Sequence, residues 1–239
     1  MRYNKINLML PTYKRVSNGK LPRFINSVLK YKSNLNNICF TFLVNEFDEE
    51  TLSFVNTFRK NNNIYQSHTL IENSNTPHLG KFYNQIYKET IFKEPGTVVS
   101  MVGDDMEFKT SGYDLAILNV INKHNGNVIV YCNDDYVQGK KLCVNLFTTR
   151  KLIESTKHPF MCELFAAYYI DTVWMKVGQK MNLLHYLNNV IIKHHHMSSN
   201  KKLIDETAQR LQKVKIPFGK GYKEVDKYVN SIIKNLKRI

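Results

Sequence analysis

The chain is 239 residues long, 43% apolar, 12% aromatic and 23% charged. That is enough for one well-packed domain or two small ones, and it excludes a disordered polypeptide, a collagenous repeat and a coiled coil. Lys and Arg number 34 against 20 Asp and Glu, a net charge of +14, which favours polyanionic company: nucleic acid, an anionic membrane surface or a phosphorylated substrate. No apolar run reaches the roughly 18 residues needed to cross a bilayer, and the opening MRYNKINLMLPTYKR lacks the core of a signal peptide. Cys39, Cys132, Cys143 and Cys162 show no close pairing. They read as reduced core residues of a cytoplasmic protein, not as a disulfide frame or zinc knuckle.

In chain order, Ile6–Leu10 reads as a strand and Leu21–Tyr31 as a helix, with Phe24, Ile25, Val28 and Leu29 at helical spacing. Ile38–Val44 is a second strand, followed by a helix from about Asp48 carrying Leu52, Phe54, Val55 and Phe58. A weaker strand over Ile64–Ile71 precedes a helix over Leu79–Phe92, and Thr97–Val102 is a buried strand ending abruptly at Gly103-Asp104-Asp105. Strand–helix alternation of this kind predicts right-handed crossovers and an α/β fold with a Rossmann-like, mainly parallel sheet. Beyond it, Val128–Cys132 and Lys141–Phe147 read as strands joined by the polar loop NDDYVQGK, and Val190–Ile192 as another short strand. The tail holds two helical patterns. In the last, Val225, Tyr228, Val229, Ile232, Ile233, Leu236 and Ile239 form one stripe with lysines off it. The expected organisation is a catalytic domain over 1–200 and a basic helical extension over 201–239 packed on it.

In open parallel sheets ligands bind beyond the carboxyl ends of the strands. Here those ends carry Pro11-Thr12-Tyr13-Lys14-Arg15, Asn45-Glu46-Phe47-Asp48 and Gly103-Asp104-Asp105, and the helix before the fourth strand carries Lys81 and Asn84 near its start. An aromatic ring, hydrogen-bonding groups, a cation and paired carboxylates on one edge suit a nucleoside diphosphate held through a divalent metal. Adjacent carboxylates at a buried strand end repel each other unless a cation joins them to a ligand, and Mg²⁺ or Mn²⁺ fits that role. The plain alternative is a surface turn with a helix cap. Asp134-Asp135 is a rival pair, better suited to a hairpin loop.

PTYKR, GKFYNQIY and VVSMVGDDMEF, then DTVW and NNVIIKHHHMSSNKKLIDE, together resemble family 2-type glycosyltransferases of the glycosyltransferase A fold, in particular the small proteins of phages and large DNA viruses. The resemblance covers most of residues 5–207. It implies that Pro11, Thr12, Tyr13 and Arg15 line the nucleotide site and that Asn45 or Glu46 stands where the family has an Asp reading base or ribose. It further implies Lys81 and Asn84 near the diphosphate, Asp104 toward ribose or sugar, Asp105 as metal ligand, and His194 or His196 completing the metal shell. Asp171 falls in the region of the catalytic base; the usual Glu-Asp pair reads Ile170-Asp171 here, so Glu163 is the second candidate.

The implied activity is a metal-dependent transfer, inverting at the sugar, from a nucleoside-diphosphate sugar (a UDP-sugar favoured) to a hydroxyl, plausibly on a hydroxymethylated base in phage or viral DNA within the host cytoplasm. Transfer to a cell-envelope or capsid glycan is the alternative acceptor. A non-catalytic nucleic-acid-binding protein on the same scaffold is the alternative class. From Met197 onward eleven Lys or Arg face four Asp or Glu, half of the whole surplus. A solvated helix face explains any one of these lysines; together they suggest a polyanionic acceptor.

Overall fold

The computed structural model describes residues 2–61, 66–73, 78–90, 96–136, 139–166, 168–195 and 218–237. The first half follows the expected alternation: β1 (Lys5–Thr12), α1 (Lys20–Tyr31), β2 (Ile38–Asn45), α2 (Glu49–Asn61), β3 (Gln66–Glu72), α3 (Leu79–Thr90) and β4 (Thr97–Met101). β1 and β2 are buried along nearly their whole length, as strands covered on both faces must be. Successive side chains part by the period of two. Ile6, Leu8 and Leu10 join one core with Phe24 and Val28 of α1, while Met9 joins the other with Tyr83 and Ile86 of α3. The polar break at Asn7 is satisfied internally. Thr41 Oγ1 donates to its Oδ1 at 2.9 Å, and its Nδ2 donates to Thr90 Oγ1 at 3.3 Å.

The second half contains more regular structure than the sequence reading assigns. β5 (Met106–Phe108) and α4 (Tyr113–Lys123) follow the paired aspartates, then β6 (Ile129–Asn133), β7 (Leu146–Thr149), α5 (Arg150–Thr156), α6 (Ile170–Met181), β8 (Leu184–His194) and α7 (Phe218–Leu236). The expected strand over Lys141–Phe147 shrinks to β7, because Gly139–Lys141 forms a turn of 3-10 helix. The short strand at Val190–Ile192 is the end of the eleven-residue β8.

The eight strands form one sheet in the order β3-β2-β1-β4-β7-β6-β8-β5. Pairing is parallel between β1 and β2, β2 and β3, β1 and β4, and β6 and β8. β7 runs antiparallel to both β4 and β6, and β5 antiparallel to β8. A shift of register where β8 passes Cys132 and Asn133 lets its last residues leave β6 and reach β5. His194 is thereby set opposite Met106, beside the paired aspartates.

α7 lays Val225, Val229 and Ile232 into the core that contains Trp174 and Val177 of α6. Lys176 pairs with Asp226 at 2.7 Å across the two helices, and Lys220, Lys223, Lys227, Lys234 and Lys237 lie exposed. Residues 201–217, with the first tail helix and Asp205, lie outside the described residues. Among the described residues no helix is long and apolar enough to cross a membrane.

Candidate active site at the carboxyl edge of the sheet

β4 ends in a turn in which Met106 N donates to Gly103 O at 3.1 Å. A Cβ on Gly103 would stand 2.5 Å from Asp105 Oδ1, so a side chain at position 103 would push the Asp105 carboxylate from its place over the turn. Asp104 turns inward. Its Oδ2 accepts from Thr12 Oγ1 at 2.8 Å, and its Oδ1 lies 3.6 Å from Arg15 Nε. Burial raises the Asp104 carboxyl, helped by the adjacent Asp105 charge and opposed by Arg15, Thr12 and Lys20, to about 6.

Asp105 meets the end of β8. Its Oδ2 lies 3.5 Å from His194 Nε2, and its carbonyl accepts from His195 N at 3.0 Å. Burial alone would raise this carboxyl, yet the contact with His194 and the charges of Arg15 and Lys20 hold it well below the usual carboxylate range. Burial would lower His194, and its hydrogen bond to Asp105 with the negative charges of Asp105, Asp134 and Asp171 raises it. The charges of three carboxylates therefore act on one imidazole, of which only Asp105 is in contact with it. His195 turns away to Glu107 at 2.9 Å, and His196 lies outside the described residues.

The donor chemistry of Asp105 and His194 fits a divalent ion. Neighbouring ligand atoms on an octahedral ion with bonds of about 2.1 Å stand about 3 Å apart, near the 3.5 Å that separates Oδ2 and Nε2. Among the described residues no group of three His, Cys, Asp or Glu is placed to hold a metal. These two side chains would hold the ion, with ligand and water oxygens completing the shell.

Asp171 sits in the first turn of α6, where Oδ1 accepts from Thr172 N at 2.7 Å. Burial raises its carboxyl, with the Thr172 bonds and His194 opposing. The preceding Tyr169 adopts φ 73°, a left-handed conformation uncommon for a tyrosine and often found beside functional residues. The charges of Asp171 and His194 act on each other. Glu163 accepts from Asn84 Nδ2 at 2.8 Å. Asn84 itself is committed to the 160–163 loop, donating to Met161 O at 2.9 Å and accepting from Met161 N at 2.7 Å. It clamps that loop onto α3. Gly80 permits the contact, since a Cβ there would lie 2.8 Å from Cys162 O.

A cleft of about 470 Å³ opens at the ends of β2 and β3 against the first turns of α3, lined by Glu46, Glu72, Asn73, His78, Lys81 and Phe82 among others. Asn45 is buried behind it and donates to Glu72 Oε1 at 2.6 Å. Burial and the Lys81 charge lower His78, which accepts from Lys81 N through Nδ1 at 3.2 Å and so caps α3. Tyr13 is half-buried at the end of β1, with Lys14 Nζ 5.3 Å from its ring centre. From β3 to β4 the strand order spans three spacings, about 14 Å at about 4.8 Å each. The cleft and the turn that carries Asp104 and Asp105 thus stand about 14 Å apart along one edge of the sheet, with the end of β1 between them.

Three further residues contribute, of which the sequence reading missed Lys20 and gave Asp48 and Asp134 no part in the site. Lys20, buried at the start of α1, acts electrostatically on both aspartates. Asp48 caps α2 through Thr51 N at 3.2 Å and accepts from Lys14 N at 2.6 Å, tying the two loops together. Asp134 lies fully buried in the expected hairpin loop, and its carbonyl accepts from His194 N at 2.9 Å. The Asp48 cap is legible in Asp-Glu-Glu-Thr at a helix start; the Asp134-Asp135 pair is legible as a pair but not in its burial, and nothing local marks Lys20.

No protein-family model matches this sequence, and no curated protein matches it. Solved structures do. Staphylococcus aureus TarS aligns over 79% of this chain with a TM-score of 0.61 and 15% identity, and TarS 1–349 over 97% with a TM-score of 0.62 and 13% identity. The chain spans 36% of the length of that first TarS structure and 71% of TarS 1–349. TarS 1–349 has also been solved with UDP-GlcNAc. The mannosyltransferase PcManGT from Pyrobaculum calidifontis, in complex with GDP-Man and Mn²⁺, aligns over 81% of this chain and 57% of its own, with a TM-score of 0.58 and 11% identity. The chain shares with these structures a mixed α/β glycosyltransferase fold, its sheet mostly parallel with antiparallel insertions.

Proposed function

We propose that this protein transfers a sugar from a nucleoside-diphosphate sugar to an acceptor hydroxyl, using Mn²⁺ or Mg²⁺ bound at Asp105 and His194. The observation that carries the reading is His194 set against Asp105 at the strand ends, with the charge of Asp171 acting on the same imidazole; the donor groove of this reading follows the strand ends from the cleft to these residues. The nucleotide sugars held by TarS and by PcManGT, the latter with Mn²⁺, support it.

The base lies in the cleft by Glu46 and Lys81, with Tyr13 beside it; a UDP-sugar is the favoured donor. Thr12 and Arg15 orient Asp104 toward ribose or sugar. The ion, when bound, supplies positive charge to the departing diphosphate, and exposed Lys81 adds to it. Asp171 acts as base. As the acceptor oxygen bonds to the anomeric carbon, the bond from that carbon to the phosphate oxygen breaks and its electron pair leaves with the diphosphate. The hydroxyl proton passes to the Asp171 carboxylate, whose basicity burial has raised. A single displacement of this kind inverts the anomeric centre.

For the acceptor, the net charge of +14 and the exposed lysines of α7 and its end, Lys220, Lys223, Lys227, Lys234 and Lys237, support a polyanion. We read it as phage or viral DNA carrying a hydroxylated base, modified in the host cytoplasm. A base in duplex would have to be extruded first.

A thermal-shift panel of UDP- and GDP-sugars with and without Mn²⁺ tests the donor: a metal-dependent rise in melting temperature with one of them is expected, and none with any would refute it. A salt titration of duplex DNA affinity tests the acceptor, since log K should fall with log salt; a flat response would remove DNA.

A further inference from the structure

Outside the donor groove, a second cleft of about 470 Å³ lies between α1 and the edge strand β5, lined by Arg23, Asn26, Lys30, Tyr31, Glu107 and Lys109 among others. Its walls are fixed by packing. Phe24 meets Phe108 edge-on at 5.8 Å, and Phe108 N donates to Ser27 Oγ at 3.0 Å. The lining holds three cations and one carboxylate, and that carboxylate is already engaged. Glu107 Oε1 lies 2.5 Å from Lys109 Nζ and Oε2 2.9 Å from His195 Nε2.

Arg23 carries the decisive feature. Its Nε and Nη2 are buried, and neither has a hydrogen-bond partner among the described residues. Buried donors are paired in the great majority of cases, so two orphans on one guanidinium call for an explanation. Nε and Nη2 also form the edge that grips two oxygens side by side once the guanidinium turns out into the cleft, a turn that costs them no hydrogen bond among the described residues. A carboxylate's two oxygens would be used up by that edge. A phosphate has further oxygens for Lys30 and Lys109.

We infer that Arg23, Lys30 and Lys109 form a phosphate-binding cleft distinct from the donor groove. The inference does not depend on the sugar-transfer reading. The phosphate is either a free ion or a phosphodiester of a polymer passing the site, since Glu107 stands two residues from Asp105.

Titration of the ¹⁵N-labelled full chain with inorganic phosphate, against chloride at equal ionic strength, tests it. Saturable shifts of the Ser27–Tyr31 and Glu107–Lys109 amides are expected. Arg23→Ala should weaken them by about tenfold or more, and Arg23→Lys, which keeps the charge but loses the fork, should also weaken them. Lys109→Ala, at an exposed position, gives a second variant should Arg23→Ala misfold. No saturable shift beyond the chloride control, or shifts indifferent to both Arg23→Lys and Lys109→Ala, would overturn the site. A short single-stranded oligodeoxynucleotide forms the second arm. Binding about tenfold tighter than phosphate through the same amides identifies a polymer as the source, and equal binding identifies the free ion; either supports the site.

Discussion

Replacing Asp104 by Asn should make the protein more stable near neutral pH. Asp104 is buried, and its carboxyl moves from an ordinary 3.8 to about 6 on folding. A displacement of that size means that the folded state favours the neutral form by about 3 kcal/mol more than the unfolded state does. Between these two values the folded protein binds more protons than the unfolded one, so this group's contribution to stability falls as pH rises from about 4 to about 6 and stays low above it. Asn keeps the shape without the charge, and its Oδ1 can still accept from Thr12. The difference between Asp104→Asn and the parent should therefore be near zero at about pH 3.5 and grow to about 1–3 kcal/mol at pH 7.5. For a domain of this size that is a rise in melting temperature of about 2–10 °C. Denaturation in urea across pH, in EDTA and without nucleotide, measures it. A variant less stable than the parent at pH 7.5, or a difference that does not vary with pH, would refute the reasoning.

Other expectations follow from the same geometry. Asp171→Asn should lower kcat by about a hundredfold or more while leaving donor KM nearly unchanged, because a base acts only in the transition state; equal losses in Glu163→Gln and none in Asp171→Asn would reverse the assignment. His194→Ala should raise the Mn²⁺ concentration needed for half-maximal activity by about tenfold or more, as read from metal titrations. Asn84→Ala should destabilise by about 2–4 kcal/mol, since it strands the buried Met161 N–H and removes the bonds to Met161 O and Glu163; urea denaturation shows this, and a neutral result would contradict the clamp.

The first half of the fold is legible because β1, β2 and β4 are buried on both faces and separated by helices with regular apolar spacing. α4 shows the same signal, with Tyr113, Ile117, Leu118 and Ile121 on its buried side, and was within reach of the same reasoning. β5 was not: three residues carry no period, and the strand exists because β8 comes back to pair with it. The length of β8 is hidden for a similar reason, its polar Asn188 and Asn189 lying where its register shifts against β6. In the site, adjacency exposes Asp104 and Asp105. The bond of Glu163 to Asn84, and the burial of Asp134 and Lys20, arise from contacts between residues distant in sequence, which no local pattern encodes.

The central claim is a divalent cation at Asp105 serving a nucleotide-sugar donor. Turnover of UDP- and GDP-sugars, by transfer or by slow hydrolysis to the free nucleoside diphosphate, measures it most directly when run with Mn²⁺, with EDTA and with Asp105→Ala. The account expects nucleoside diphosphate release with Mn²⁺ that falls to background in EDTA and in Asp105→Ala, even though the variant stays folded. Release that persists undiminished in folded Asp105→Ala, or in EDTA, would contradict it.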